Sequence, residues 1–358
     1  MDKARFVPSR KIPVAVLGAT GAVGQRFVQL LADHPWFEIT ALAASERSTG
    51  QRYKDACQWV IPGDPPPGVG ERIVMPLAPT LPARIVFSAV PSSVAREMEP
   101  RFAQAGYLVC SNASAHRDTE DVPLLIPEIN ADHISMIARQ RSQRGWSGLI
   151  VASPNCTITG VAVALKPLDD AYRVQKVFMA SMQAVSGAGY PGVSSLDILD
   201  NVVPYIAGEE EKFQQELQKL LGRVTDGQLI RPNIAVSAHA NRVPVLEGHT
   251  VNVSVGFEKP VTPDLARQTL EAYQPPEICR DLPSSPKRLI YVRTEPDRPQ
   301  PRRDCGAAEG MAVSVGRLRR CPLLDLRLVV VTHNTLRGAA SGAILNAELL
   351  TAQGYAQA

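Results

Sequence analysis

Cys156 sits in the run Ser153-Pro154-Asn155-Cys156-Thr157-Ile158-Thr159-Gly160. An apolar, strand-like stretch (Gly148–Ala152) precedes it and an apolar, helix-like stretch (Val161–Leu165) follows. A thiol at such a switch lies near a helix N-terminus, where free N–H groups and the helix dipole favour the thiolate. A thiolate is a nucleophile for acyl transfer. Cysteine is also a common small buried residue, so a catalytic reading needs further groups. His249, in Arg242-Val-Pro-Val-Leu-Glu-Gly-His249-Thr250, stands at a strand start. A neutral imidazole beside Cys156 could take its proton and later act as general acid–base. His34, His116, His133, His239 and His333 are equally available by composition, and only a fold can bring one of them to Cys156. The run Gln183-Ala-Val-Ser186-Gly187-Ala-Gly189 ends a strand in a Gly-rich turn. Such a turn can pass close to a ligand, or can simply turn the chain. Glu209-Glu-Glu-Lys212 reads as a solvated helix start with acid in its first turn.

A second constellation lies near the N-terminus. Gly18-Ala19-Thr20-Gly21-Ala22-Val23-Gly24 joins a strand to a helix. A GxxGxxG turn in that setting lets the backbone approach a pyrophosphate, with the helix N-terminus facing its charge. A tight turn without a ligand has the same appearance. The end of the second strand reads Ser45-Glu46-Arg47-Ser48. Glu46 would suit the ribose of NAD. Arg47 between two hydroxyls would suit the 2′-phosphate of NADP, because a guanidinium matches phosphate geometry; this second reading is preferred.

The elements that must position these groups follow from periodicity. Residues 12–17 and 37–44 are apolar runs of strand length. Between them Val23, Phe27, Leu30 and Leu31 share one face of a helix that stops at His34-Pro35. Strand, Gly turn, helix and strand make the start of a parallel α/β sheet. Further buried strands are expected at 84–90 and 106–110. From about 174 the pattern changes: strands at 174–184, 249–257, 311–317 and 323–332, with long gaps, suggest a mixed or antiparallel sheet. Residues 209–221 form a polar amphipathic helix, and 338–351 a small-residue helix suited to packing against the first domain. Pro and Gly exclude regular structure at 61–70, and the Pro/Arg-rich stretch 281–304 is expected on the surface.

A chain of 358 residues is too long for one ordinary core and suggests two domains. With 45% hydrophobic and 20% charged residues a folded globular protein is expected. No apolar run reaches the roughly 18 residues of a membrane span, and Met1-Asp2-Lys3-Ala4-Arg5 does not open a signal peptide. The six scattered cysteines lack a CxxC pair, which argues against a disulfide framework and a structural metal site and for a reducing cytoplasm. A net charge of +3 with mixed signs is no nucleic-acid footprint.

The chain resembles the aspartate-β-semialdehyde dehydrogenases of the archaeal and fungal branch. The resemblance rests on GATGAVGQRFVQLLADHPWF from 18, ALAASERS from 41, SNASAHR from 111, SPNCTITG from 153, QAVSGAGYPG from 183, GEEEK from 208, NRVPVLEGHT from 241 and HNTLRGAASGAILNAE from 333, in the family's order. It implies an α/β fold: a Rossmann-like NADP-binding domain over 1–154, completed by the C-terminal helix 335–358. An α+β catalytic and dimerisation domain with a mixed sheet would cover 155–334. It implies Cys156 as nucleophile, His249 as acid–base group and Gln183 as the residue positioning the substrate carbonyl. Arg242 would clamp the substrate α-carboxylate, Glu209 would meet its α-ammonium, and Lys212 and Arg117 would bind phosphate with Asn112 and Asn155 in support. Gly18, Thr20, Gly21, Ala22 and Val23 would cradle the pyrophosphate of NADP(H), Ser45, Arg47 and Ser48 would read its 2′-phosphate, and Ser186, Gly187 and Asn334 would border its nicotinamide. Where the family often has Cys before Asn-Arg-Val, this chain has Ala240, which carries no proposed role.

The expected reaction is reduction of 4-phospho-L-aspartate through a Cys156 thioester, in a cytoplasmic homodimer or homotetramer needing neither metal, nucleic acid nor membrane. Malonyl-CoA reductase, on the same scaffold, would keep Cys156, His249 and the NADP site, but its CoA substrate leaves Glu209 without a partner. N-acetyl-γ-glutamyl-phosphate reductase is a more distant alternative. An idle NADP-binding sensor or scaffold protein would not account for the set of Cys, His, Gln, Arg, Glu and Lys.

Overall fold

The computed structural model describes residues 6–356, so Met1–Arg5 and the last two residues of the expected C-terminal helix lie outside it. Six parallel strands form the first sheet: β1 (Ile12–Leu17), β2 (Phe37–Ala44), β3 (Met75–Pro76), β4 (Ile85–Ser88), β5 (Leu108–Ser111) and β6 (Leu149–Ala152), in the order β3-β2-β1-β4-β5-β6. This is the doubly wound order of nucleotide-binding sheets. Its strands are almost wholly apolar because helices cover both faces. Ala15, Leu17, Val86, Val109 and Ile150 point to one face, with Phe102 and Ala103 of the helix Ser92–Gln104. Val14, Val16, Ile85, Phe87, Leu108 and Val151 point to the other. That second face packs on Phe27, Val28 and Leu31 of the helix Ala22–Leu31, and on Ile344, Leu345 and Leu349 of the helix Ser341–Ala352. The small-residue tail therefore does return to the first sheet. Buried His34 and Glu348 fasten it at 2.9 Å, and the Glu348 carboxylate also takes the Ser284 N–H at 2.9 Å.

Past β6 the chain runs through the helix Cys156–Tyr172 into a second, mixed sheet. Its strands are β7 (Val174–Gln183), then, after a separate hairpin of β8 (Arg223–Thr225) and β9 (Gln228–Ile230), β10 (Ala235–Arg242), β11 (His249–Phe257), β12 (Ile290–Arg293), β13 (Val313–Arg320) and β14 (Leu326–Thr332). The order is β10-β7-β11-β14-β13-β12, with β10–β7 and β12–β13 parallel and the inner pairs antiparallel. The expectation of a mixed sheet holds. Two details differ from the sequence reading. Residues 235–242, absent from the expected strands, form an edge strand: residues 235–239 alternate between exposed and half-buried, with Ala240 and Arg242 buried, and its Ala, Ser and His residues make no apolar run to mark it. The stretch 281–304 is not simply a surface segment. It supplies edge strand β12 and buries Asp304, whose carboxylate holds Arg298 at 2.7 Å and Arg293 at 2.9 Å.

Candidate active site

Cys156 is the first residue of its helix, reached directly from β6 through Ser153-Pro154-Asn155. The Asn155 side chain caps that helix, its Oδ1 accepting the N–H of Thr157 at 2.8 Å and of Ile158 at 3.4 Å. Two of the N–H groups expected to favour a thiolate are thus already satisfied, and the backbone N–H of Cys156 itself is left to act on the sulfur. Burial pushes the Cys156 thiol up to about 11; Glu209 adds to this, while Arg117 and Arg242 oppose it. The thiolate expected from the helix terminus is accordingly corrected to a resting thiol, because desolvation outweighs the dipole.

Among the six histidines it is His249, the first residue of β11, that meets this thiol. Its Nε2 stands 3.2 Å from Cys156 Sγ, while its Nδ1 accepts the backbone N–H of Ala184 at 3.1 Å. Pairing of β11 with β7 and β14 fixes this approach across 93 residues of sequence. Burial, Arg242 and His333 push the imidazole down to about 3, so the ring is neutral. The other histidines are engaged elsewhere: His34 with Glu348, His116 near Glu99, His133 on the Gly222 carbonyl, His239 against Phe178 and His333 with Glu247.

Polar groups surround the pair. Gln183, at the end of β7, reaches Ser181 Oγ at 3.3 Å and Glu209 Oε2 at 3.5 Å. Asn155 Nδ2 donates to the same Glu209 oxygen at 2.7 Å. Glu209 is therefore not the freely solvated residue its setting suggests. Arg242, at the end of β10, donates to the Ala184 carbonyl at 2.9 Å. Its guanidinium and the His249 ring crowd Gly187, where a Cβ would stand 2.8 Å from the Arg242 nitrogen and 3.0 Å from the His249 ring. Arg117 is oriented by three acceptors: the Ser153 carbonyl at 2.9 Å, the Asn112 carbonyl at 2.9 Å and Glu216 Oε1 at 3.3 Å. Lys212 lies on the wall of the same cavity.

That cavity measures about 910 Å³. Asn112, Arg117, Asn155, Cys156, Gln183, Glu209, Lys212 and Arg242 line one part, and Gly21, Ala22, Val23, Ser186, Gly187 and Asn334 another. His249 lies behind the wall, buried at 1% exposure. Gly18 and Thr20 back the turn without lining the space. Gly18 has a φ of +75° and no room for a Cβ, which would meet the Ala89 carbonyl at 2.7 Å. Ser45 and Arg47 are exposed beyond the end of β2, and Ser48 is buried; none of the three lines the cavity. The N-terminus of the helix Ala22–Leu31 has no side-chain cap and no acid in its first turn, so its N–H groups are free for an anion. Both polar atoms of the Asn112 side chain are buried without a hydrogen-bond partner among the described residues. An orphaned amide in a cavity wall fits a polar ligand.

Four residues of the site escaped the sequence reading. Buried Glu216 accepts the Asn155 N–H at 2.6 Å and pairs with Arg117, tying the nucleophile turn to the guanidinium. Its spacing from Glu209 and Lys212, seven and four residues, puts all three on one helix face and was the available signal. Glu247 joins Arg26 at 3.0 Å to His333 at 3.1 Å, bridging the helix Ala22–Leu31 to the His249 strand. Nothing in sequence spacing announces that trio. Among the described residues no group of His, Cys, Asp and Glu could hold a metal, and no helix is long and apolar enough to cross a membrane.

Comparison with known proteins gives a consistent picture. The profile of the semialdehyde dehydrogenase NAD binding domain matches residues 13–137, and that of the semialdehyde dehydrogenase dimerisation domain residues 165–337. An aspartate-semialdehyde dehydrogenase of Archaeoglobus fulgidus is 50% identical over 94% of this chain and 97% of its own. One of Cryptococcus neoformans is 43% identical over 98% and 100%. The crystal structure of the Candida albicans aspartate-semialdehyde dehydrogenase with NADP superimposes with a TM-score of 0.90 at 40% identity, covering 96% of this chain and all of that one. The chain belongs to the aspartate-semialdehyde dehydrogenase family of oxidoreductases.

Proposed function

Taking that family as the starting point, we propose that the protein reduces 4-phospho-L-aspartate to L-aspartate 4-semialdehyde with NADPH. The product would enter lysine, methionine, threonine and isoleucine biosynthesis. The observation that carries this reading is the 3.2 Å approach of His249 Nε2 to Cys156 Sγ on a cavity that also presents Arg117, Lys212, Arg242 and Glu209. A carboxyl derivative resists direct reduction, and covalent catalysis divides the task. Cys156 Sγ attacks the acyl carbon, its C–O bond to phosphate breaks, and a thioester remains on the sulfur. Arg117 and Lys212, with Asn112 and Asn155, hold the departing phosphate. Arg242 offers its fork to the α-carboxylate, Glu209 its charge to the α-ammonium, and Gln183 orients the carbonyl. A CoA thioester would give Glu209 no such partner.

The unoccupied N–H groups at the helix start, the tight Gly18 turn and the orphaned Asn112 amide fit a dinucleotide with a nicotinamide end. Gly18, Thr20, Gly21, Ala22 and Val23 would hold its pyrophosphate, Ser45, Arg47 and Ser48 its 2′-phosphate, and Ser186, Gly187 and Asn334 its nicotinamide. Bound there, the cofactor supplies the hydride. The Candida albicans enzyme was crystallised with NADP, which supports the 2′-phosphorylated form. Residues 1–154 with 335–358 would make up the nucleotide-binding unit and 155–334 the catalytic one. The matched dimerisation profile supports a homo-oligomer, and exposed Phe178, Tyr190, Leu199, Val202 and Tyr205 in that part of the chain offer apolar surface for a second copy.

The reading is tested with Cys156→Ala. The variant should bind NADPH as the wild type does and lose turnover. Retained reductase activity would refute the assignment.

A further inference from the structure

In the proposed mode the cofactor rests at two places, its pyrophosphate on Gly21, Ala22 and Val23 and its nicotinamide beside Ser186, Gly187 and Asn334. The spacing of those two places decides where the hydride arrives. Arg26 and Glu247 join them. Arg26 stands one turn into the helix Ala22–Leu31, whose N-terminus is the first place. Glu247 stands in the turn before β11, two residues ahead of His249. Both side chains line the cavity, and Arg26 Nη2 donates to Glu247 Oε1 at 3.0 Å. Arg26 Nη1 donates to Gln29 Oε1 of its own helix at 3.0 Å. The Glu247 carboxylate also accepts Thr335 Oγ1 at 3.1 Å and meets His333 Nε2 at 3.1 Å. The turn that carries Glu247 has little freedom. Its Val245 and Leu246 carbonyls accept the N–H groups of Val185 at 2.8 Å and Ser186 at 3.3 Å. Its Gly248 N–H donates to Asn334 Oδ1 at 2.9 Å, and Asn334 Nδ2 donates to Ser186 Oγ at 2.8 Å. Ser186 and Asn334 are thereby tied to the turn of Glu247, and Glu247 to the helix under the pyrophosphate.

We infer that Arg26 and Glu247 are positioning residues for hydride transfer: their ion pair fixes the nicotinamide site relative to the pyrophosphate site, and neither side chain binds the cofactor. This rests on the proposed NADPH reaction. The guanidinium does not offer a free fork to phosphate, because Gln29 and Glu247 already take Nη1 and Nη2. Both Glu247 oxygens are likewise engaged. The hydrogen bond with His333 holds the Glu247 carboxyl below the usual carboxylate range, against burial and with help from Arg26 and Thr335, so the pair persists at neutral pH. Only 10% of the Arg26 side chain and 27% of that of Glu247 are accessible. Taking such charges out of water costs much of what their attraction returns, so the pair contributes geometry more than stability. Geometry is what hydride transfer needs, since it runs between two carbons held at short range.

The test uses the full enzyme and Arg26→Met, which keeps the stem and removes the charge. NADPH affinity is read by fluorescence titration without substrate and should stay close to that of the wild type. The hydride step is read in phosphate-dependent NADP reduction with L-aspartate 4-semialdehyde carrying deuterium on its aldehyde carbon. kcat should fall at least about 10-fold, since a misplacement of about 1 Å can cost roughly 100-fold. The deuterium isotope effect on kcat should rise above the wild-type value as hydride transfer becomes limiting. Arg26→Lys, which can remake the pair, should recover most of the loss. The double variant Arg26→Met with Glu247→Gln should be no slower than the slower single one, because both remove the same interaction. Glu247→Gln keeps the shape of its side chain and carries the same expectations if Arg26→Met fails to fold. A loss of affinity on the order of 10-fold or more, the worth of a charge-assisted contact, with the isotope effect unchanged, would show direct binding of the cofactor and overturn the inference. So would an unchanged kcat, or losses that simply add in the double variant. An error in the substrate assignment would show separately, as a wild type that binds NADPH but fails to turn over aspartate semialdehyde.

Discussion

The backbone of Gly338 lies against Cys156. A Cβ at 338 would stand 2.6 Å from the Cys156 Cβ and 2.9 Å from its Cα. Residues 336–340, one wide helical turn before the C-terminal helix, thus form a floor under the nucleophile. Gly338→Ala must push Cys156 away from His249. Misplacement by about 1 Å can cost roughly 100-fold, so kcat should fall by about that factor while NADPH binding persists. Steady-state kinetics with a cofactor titration check it; unchanged kcat would mean that the floor yields freely.

The neighbouring Arg337 is held by Glu128 through two hydrogen bonds, Nη2 to Oε2 at 2.8 Å and Nη1 to Oε1, with both side chains almost fully buried. Arg337→Met leaves Glu128 charged, buried and alone, at a cost of about 3–5 kcal/mol. Adding Glu128→Leu should restore much of that loss, since an apolar pair carries no unpaired charge. Urea denaturation of the single and double variants measures both.

Glu216 carries no proposed contact with substrate, yet it accepts the Asn155 N–H at 2.6 Å and pairs with Arg117. Glu216→Ala should destabilise by about 1–3 kcal/mol, the cost of unsatisfied buried donors. It should also raise the phosphate KM in the oxidative direction, because Arg117 loses one of its three acceptors. Thermal denaturation and phosphate-dependence of the rate test the two effects separately.

Much of this arrangement was legible in the sequence. Apolar strand runs, the Gly turn and the helix with Val23, Phe27 and Leu31 on one face announced the nucleotide-binding sheet, because local periodicity records burial. Cys156 was marked by its place between a strand and a helix. Its protonation state was not, because the desolvation that keeps the thiol comes from residues distant in sequence. The pairing of Cys156 with His249 depends on strand register, which spacing does not contain. Edge strand β10 escaped because its Ala, Ser and His residues carry no apolar run. Asp304 escaped because a Pro/Arg-rich composition hides one buried carboxylate that gathers two arginines.

Alkylation of the free enzyme reads the thiol directly. With Cys156 pushed up to about 11 and His249 down to about 3, no thiolate–imidazolium pair exists near neutrality. Below its pKa a thiol gains thiolate about tenfold per pH unit. The Cys156 alkylation rate, followed on its peptide by mass spectrometry, should therefore climb by about that factor with each pH unit from about pH 7 to 10. A plateau reached by about pH 7–8 would contradict the buried-thiol state.

The most direct measurement is phosphate-dependent reduction of NADP, with L-aspartate 4-semialdehyde compared against malonate semialdehyde plus CoA. Turnover is expected with aspartate semialdehyde only, strictly dependent on phosphate and lost in Cys156→Ala. Turnover with the CoA pair alone would keep Cys156 and His249 at the reacting carbon, but would contradict the assignment of Glu209, Arg242 and Lys212 to an aspartyl phosphate.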